Sequence, residues 1–300
     1  MALKVAPGPK LSERTTLRLG GRAQAEIVVT SPEDADSLGA ELARHGASPL
    51  VLGWGSNLLA VDEELDLVVV SLEPADPVLL EPAACCAGQE GGKVTVRVSG
   101  GLMLPKLVNW AAKLGLSGLE GLAGIPGTVG GAVAMNAGSY GRETAELLTR
   151  VRIWDLRGGM RWIGPAQWNT GYRRFAPDGG LWPWLALEAE MTLTASSPER
   201  VRALVDANLA RKKATQPVST ATCGCVFKNP EGLSAGKILD ELGFKGKSLG
   251  GMCFSPMHAN FLVNEGRGTA KAALDLIAKA REAVKAAYGV ELELEVRVVR

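Results

Sequence analysis

The chain has 300 residues, 46% of them hydrophobic and 22% charged, with a formal net charge of +1. That composition supplies a large core in about two domains. The balanced charge argues against a nucleic-acid partner or an anionic membrane surface. The amino-terminal MALKVAPGPK has no apolar run of signal-peptide length and no other stretch passes as a membrane span, which predicts a cytoplasmic protein. The cysteines (Cys85, Cys86, Cys223, Cys225 and Cys253) include no C-x-x-C pair, so reduced thiols and no bound metal are expected.

In chain order the pattern alternates between strand and helix. EIVVT at 26–30 reads as a strand. SPEDADSLGAELARHG then starts a helix with Ser31 as N-cap and Pro32 in the first turn, ending at Gly46. PLVLG (49–53) and LDLVVVS (65–71) are short buried strands. VTVRVSG alternates up to Gly100, and a helix follows around 103–114. VRIWDLRGGMRWI (151–163) is a hairpin turning at Arg157-Gly158-Gly159, and LALEAEMTL (185–193) a further strand. A second Ser-Pro-acid helix start falls at 197, where the last domain is expected to begin. The tail reads as a helix near 235–242, the strand HANFLVN, a long helix near 269–287 and the alternating strand VELELEVRVV.

The stretch GLEGLAGIPGTVGGAVAMNAGSYG (118–141) departs from both patterns. Glycine is costly in regular elements, so its concentration here points to a folded turn whose backbone N–H groups approach a phosphate-bearing ligand. A P-loop is excluded, because no glycine is followed by Lys and a hydroxyl at the required spacing. GWGSNL after the strand at 49–52 offers Gly53 and Gly55 but Leu58 in the third place, so the dinucleotide fingerprint is incomplete. Two uncharged glycine turns remain, 53–59 and 124–138, with Ser56, Asn57, Thr128, Asn136 and Ser139 around them. Together they suit one large dianionic ligand.

VLGWGSNLLA, the 118–141 segment, GYRR, CGCVFKNP, HANFLVN and LELEVR, in this order, resemble the UDP-N-acetylenolpyruvoylglucosamine reductase (MurB) family, in its shorter variant without extra loops over the substrate site. The resemblance runs from about residue 15 to Arg297. It implies an α+β protein, a two-subdomain FAD-binding fold of the PCMH/vanillyl-alcohol-oxidase type (1–72 and 73–196) plus a C-terminal α+β substrate domain (197–300). FAD is the implied cofactor, NADPH the reductant and a UDP-N-acetylglucosamine enolpyruvyl ether the substrate, handled by a monomer with no nucleic-acid or membrane partner. The implied flavin contacts are Gly53, Trp54, Gly55, Ser56, Asn57, Leu58, Gly124, Ile125, Thr128, Gly130, Gly131, Ala132, Asn136 and Gly138.

The implied reaction delivers a hydride to the enolpyruvyl double bond and then a proton to the adjacent, enolate-like carbon. Arg173 in GYRR matches the family arginine that holds the carboxylate side of that charge, a task suited to a planar, permanently charged donor. The residues after it, Arg174-Phe175-Ala176, depart from the family's usual serine. Cys225 stands where the family has a serine proton donor. A thiol, with a reference pKa of about 8.5, is the stronger acid of the two and is protonated at neutral pH. Glu295 shares the polar face of the last strand with Glu291, Glu293 and Arg297, and the motif match assigns it to protonation of the intermediate. Lys213 and Asn229 are the implied substrate contacts, and His258 reads as a structural hydrogen-bonder. Two rival readings are an oxygen-using FAD oxidase and a nucleotide-sugar-binding module without flavin.

Overall fold

The computed structural model describes residues 3–80, 91–180 and 183–300, so Cys85 and Cys86 lie outside the described residues. The chain forms two compact units, neither continuous in sequence. The first comprises Met1–Pro7, Ala25–Trp54 and Leu67–Arg211, the second Gly8–Gln24, Gly55–Asp66 and Lys212–Arg300.

A four-stranded sheet, in the first unit except for the first two residues of its two central strands, runs in the order Lys4–Pro7, Ala23–Val29, Leu65–Leu72, Ser48–Val51. Ala23–Val29 buries every second residue, whereas Val68, Val69 and Val70 are buried in succession, as in a strand covered on both faces. The helix expected from Ser31 begins instead as a 3-10 turn over Pro32–Ser37, and the α-helix proper is Leu38–His45, closed by Gly46 at φ 64. The Asp34 side chain caps the 3-10 turn, and aspartate and serine favour caps and turns over helix interiors. Asp34 accepts from the Ser31 backbone N–H at 3.1 Å and its hydroxyl at 2.9 Å.

A larger antiparallel sheet joins Gly159–Ile163, Leu148–Asp155, Trp184–Ala195, Lys93–Ser99 and Val78–Leu79, with Leu116–Ser117 added beside Trp184–Ala195. Alternation along its strands divides two cores. Val94, Val96, Val98, Ile153 and Met191 pack with the helix Leu104–Lys113, while Trp154, Leu185 and Leu187 pack with Ile27, Leu38 and Val70. Asp155 closes the hairpin, accepting from the N–H groups of Arg157 (2.9 Å) and Gly158 (2.7 Å) and from Arg161 (2.6 Å).

The second unit has a four-stranded antiparallel sheet in the order Thr222–Cys225, Phe261–Asn264, Met252–Phe254, Ser248–Leu249. The helices Ala235–Glu241 and Ala270–Tyr288 cover it. The long helix starts at Thr269, whose hydroxyl accepts the Ala272 N–H, and buries Ala270, Ala273, Leu276, Ile277, Ala280 and Val284 at helical spacing. The expected strand over 290–299 is corrected. Only Arg297–Val299 is regular strand, parallel to Leu58–Ala60. Leu292 and Val296 are buried and Glu291 and Glu293 exposed, so the alternation is real. The partner segment leaves the ladder at Asn229-Pro230, however, and proline offers no N–H to continue it.

Candidate functional site

In the first unit the two glycine turns meet. A Cβ on Gly53 would lie 2.5 Å from the Thr128 hydroxyl oxygen, so the approach depends on glycine. Gly124 and Gly127 have φ values of 73 and 142, which L side chains rarely adopt. They lead into the short helix Val129–Ala134, whose N-cap Thr128 accepts from the Gly131 N–H at 3.3 Å. Ile125 is half-buried and donates its N–H to Leu122, while Ala132 is buried inside the helix. Trp54 is 53% exposed beside Gly53. Between Trp54 and Gly55 the chain passes to the second unit.

The residues present fit a flavin nucleotide. Residues 53–61 and 121–142 contain no carboxylate. Gly131 is exposed, and a Cβ there would have only the Thr128 hydroxyl oxygen in range, at 3.5 Å. A side chain at Gly131 would therefore enter open space that a phosphate-bearing ligand can use.

Three expected cofactor contacts have other duties. The Gly130 N–H, expected at the pyrophosphate, donates to the Gly100 carbonyl at 2.8 Å. A Cβ on Gly130 would lie 3.0 Å from that oxygen and 3.2 Å from the Ala186 carbonyl, so its glycine serves close packing on the sheet. Asn136 is 1% exposed, and its side chain bonds Glu143, Ala145 and Gly171. Gly138 pairs with Glu143, and a Cβ there would meet the Arg142 carbonyl at 2.6 Å.

Arg173 belongs to the first unit. With Tyr172 it forms the turn between the strands Trp168–Gly171 and Arg174–Pro177. Its φ of 55 is unusual for a residue with a Cβ, and its guanidinium lies 4.9 Å from the centre of the Tyr172 ring.

Cys225 and Glu295 both belong to the second unit. The Glu295 N–H donates to the Val226 carbonyl at 2.8 Å and the Lys228 N–H to the Glu293 carbonyl at 2.9 Å. This short ladder sets Glu295 opposite the residue after Cys225. Asn57 reinforces it: its side-chain amide donates to the Glu295 carbonyl at 2.9 Å, and its own carbonyl accepts the Arg297 N–H at 3.0 Å. Gly55 approaches the chain at 14–15, where a Cβ would lie 2.3 Å from the Arg14 carbonyl oxygen. Ser56 is half-buried, and Leu58 is buried in the strand paired with Arg297.

Sequence reasoning missed Asn260. It is 2% exposed, and its side chain accepts the Phe227 N–H at 3.0 Å and donates to the Phe227 carbonyl at 2.8 Å. The side-chain amide stands in for a strand along CGCVF, and no sequence pattern marks that role. Cys225 is half-buried, whereas Cys223 is 1% exposed and burial pushes its thiol up to about 12. Asn229 accepts the Ala235 N–H at 3.0 Å at the start of a helix. Lys213 is exposed in the last turn of Pro198–Thr215, while its neighbour Lys212 is only 3% exposed. That contrast was available in the sequence, since Lys212 lies at helical spacing from Val201 and Val205. Burial pulls the His258 imidazole below its usual pKa, and its ring nitrogen accepts the Asn260 N–H at 3.2 Å, a structural role.

Among the described residues there is no cluster of His, Cys, Asp and Glu that could hold a metal ion, and no helix is long and apolar enough to cross a membrane.

The fold and the glycine turns define a flavin-nucleotide-binding α+β protein, and residues 23–164 match the model of the FAD binding domain. Residues 216–299 match the C-terminal domain model of UDP-N-acetylenolpyruvoylglucosamine reductase. The chain is 46% identical to the UDP-N-acetylenolpyruvoylglucosamine reductase of Nitratidesulfovibrio vulgaris, covering 99% of each chain. It is 34% identical to that of Bacillus subtilis, covering 99% of this chain and 94% of the relative. The crystal structure of the Thermus caldophilus reductase (MurB) superposes with a TM-score of 0.81 at 33% identity, covering 99% of this chain and 100% of that one. The chain belongs to the UDP-N-acetylenolpyruvoylglucosamine reductase family, with an FAD-binding domain followed by a C-terminal MurB domain.

Proposed function

We propose that the chain reduces UDP-N-acetyl-3-O-(1-carboxyvinyl)-glucosamine to UDP-N-acetylmuramate, a step in peptidoglycan precursor synthesis, with FAD as cofactor and NADPH as reductant. The observation that carries this reading is the meeting of the two glycine turns at Gly53 and Thr128, in a chain that matches the family end to end. Bound FAD supplies hydride transfer from NADPH to the substrate double bond. The chain's own residues bind, orient and protonate.

Gly53, Trp54 and the backbone of Gly124–Gly138 hold the flavin within the first unit, and Gly55, Ser56, Asn57 and Leu58 are the flavin contacts that the second unit contributes. Arg173 faces the substrate carboxylate, where a planar cation stabilises the charge that develops as the double bond is reduced. The Cys225 thiol donates the proton to the enolate carbon. Glu295, held opposite Val226 by its backbone bond, polarises that centre and supports the transfer. Lys213 reaches the diphosphate on its flexible stem, and Asn229 contributes to the substrate wall. In this reading residues 1–72 and 73–196 serve the flavin and 197–300 the substrate. The protein acts in the cytoplasm as a monomer, without nucleic acid or membrane.

The test is a visible spectrum of the purified protein followed by NADPH oxidation assays. Flavin absorbance and NADPH consumption that requires the enolpyruvyl substrate support the reading. A colourless protein, or consumption that requires only oxygen, overturns it.

A further inference from the structure

We propose that Asn136 is the positioning residue for Arg173, through the carbonyl of Gly171. The inference rests on the reading of Arg173 as the group that holds the substrate carboxylate.

The hairpin that carries Arg173 is two-stranded and joins no larger sheet among the described residues. Such a hairpin is marginal in isolation, so its geometry must come from what it packs on. Along the hairpin Phe175, paired with Thr170 one step from the turn, packs between Trp168 of the open end and Trp184, with ring centroids 5.2 and 5.7 Å away. At its turn end Asn136 Nδ2 donates to the Gly171 carbonyl at 3.1 Å, one residue before the Tyr172-Arg173 turn.

Asn136 is built to hold still. Nδ2 also donates to Glu143 Oε2 at 2.7 Å, and Oδ1 accepts the Ala145 N–H at 2.9 Å, so both N–H groups and the oxygen of the amide are engaged. Its backbone has φ 42, a conformation asparagine tolerates better than most residues. Arg173 sits at φ 55, in a turn position that favours glycine or asparagine. A residue with a Cβ stays there when its surroundings hold it. The amide of Asn136 supplies that hold, and the direction of the guanidinium follows from the backbone it fixes.

The test is the double variant Asn136→Asp/Glu143→Gln. It keeps the left-handed backbone, the acceptor for Ala145 and a bond between positions 136 and 143 with donor and acceptor exchanged. What it removes is the donor to Gly171. We expect a lowered thermal midpoint, because two acceptors then face each other at Gly171, with flavin content close to wild type and faster hydrogen–deuterium exchange at the turn amides near 170–174. Reoxidation of the reduced enzyme by substrate should slow at least tenfold, with reduction by NADPH unchanged. Combined with Arg173→Ala, the double variant should add no further slowing, because both changes remove one function. Multiplying effects, or unchanged exchange and reoxidation alongside a slow Arg173→Ala enzyme, would overturn the role of Asn136. A normal rate in Arg173→Ala alone overturns the reading of Arg173 and this inference with it. Should the double variant fold poorly, Asn136→Gly keeps the left-handed backbone and adds no charge while removing all three amide bonds, and its reoxidation rate alone and combined with Arg173→Ala reads the same coupling.

Discussion

The backbone N–H of Glu295 donates to the carbonyl of Val226 at 2.8 Å, which sets the acid of the last segment opposite the residue that follows Cys225. Asn57 holds the other side of Glu295 through its carbonyl at 2.9 Å. Asn57 is thereby tied to the proposed proton-donating segment within the second unit.

If the Cys225 thiol gives the final proton, Cys225→Ser should keep substantial turnover, because an O–H donor remains within similar reach. Cys225→Ala should lose roughly 10²–10⁴ in the substrate half-reaction while flavin reduction by NADPH survives. The wild-type rate should fall as pH rises through the thiol's pKa, and that limb should vanish in Cys225→Ser. Stopped-flow absorbance of the two half-reactions across pH checks all three. A normal Cys225→Ala rate passes the donor role to Glu295 or to water.

Alkylation should separate the two cysteines of CGC. Cys223 is buried with its thiol pushed up to about 12, so it stays protonated and unreactive at neutral pH, whereas Cys225 is half-buried. Iodoacetamide followed by peptide mapping should find label on Cys225 in step with lost activity, and bound substrate should protect it. Label on Cys223 at the same rate would contradict the burial argument.

The two neighbouring glycines make a contrast. Gly131→Asp adds a carboxylate in open space, so the protein should fold with a normal thermal midpoint yet bind little flavin. Gly130→Ala places a methyl 3.0 Å from the Gly100 carbonyl oxygen and should lower the midpoint instead. Flavin content from the visible spectrum and melting of the apoprotein distinguish the two. Full flavin occupancy in Gly131→Asp would remove the turn from the cofactor site.

Much of this was legible in the sequence. Ser31, Gly46, Thr269 and Gly289 punctuate helices through local capping chemistry, and the alternation in 93–99 and 184–195 gives their strands directly. The glycine turns were visible as composition, because few other residues tolerate such backbones. Their individual duties were not. Gly130 is glycine because of Gly100 and Ala186, which are distant in sequence. Asn136 resembles a ligand contact until Gly171 is placed beside it. The tail at 290–296 alternates like a strand, yet its pairing partner ends at a proline, a fact about another segment.

Stability in acid should depend on Glu190. The carboxyl is 4% exposed, with Arg150 at 2.5 Å and Arg97 at 2.7 Å, and both guanidinium groups lie over the Trp162 ring. Burial raises its pKa, but the hydrogen bonds from Arg150 and Arg97 outweigh that and hold it below the usual carboxylate range. A depressed folded-state pKa adds stability that is present above the unfolded value, about 4.3, and is lost as pH falls through the folded value. Glu190→Gln should cost ~1–3 kcal/mol at neutral pH and flatten the acid limb of the stability curve. Urea melts between pH 3 and 7 read both effects, and an unchanged acid limb would contradict the assignment.

The most direct measurement is single-turnover reaction of the NADPH-reduced enzyme with the enolpyruvyl substrate under anaerobic conditions. The account predicts that the yellow flavin spectrum returns and that one equivalent of UDP-N-acetylmuramate forms per flavin. A reduced enzyme that stays colourless until oxygen is admitted, with the substrate recovered unchanged, would contradict it.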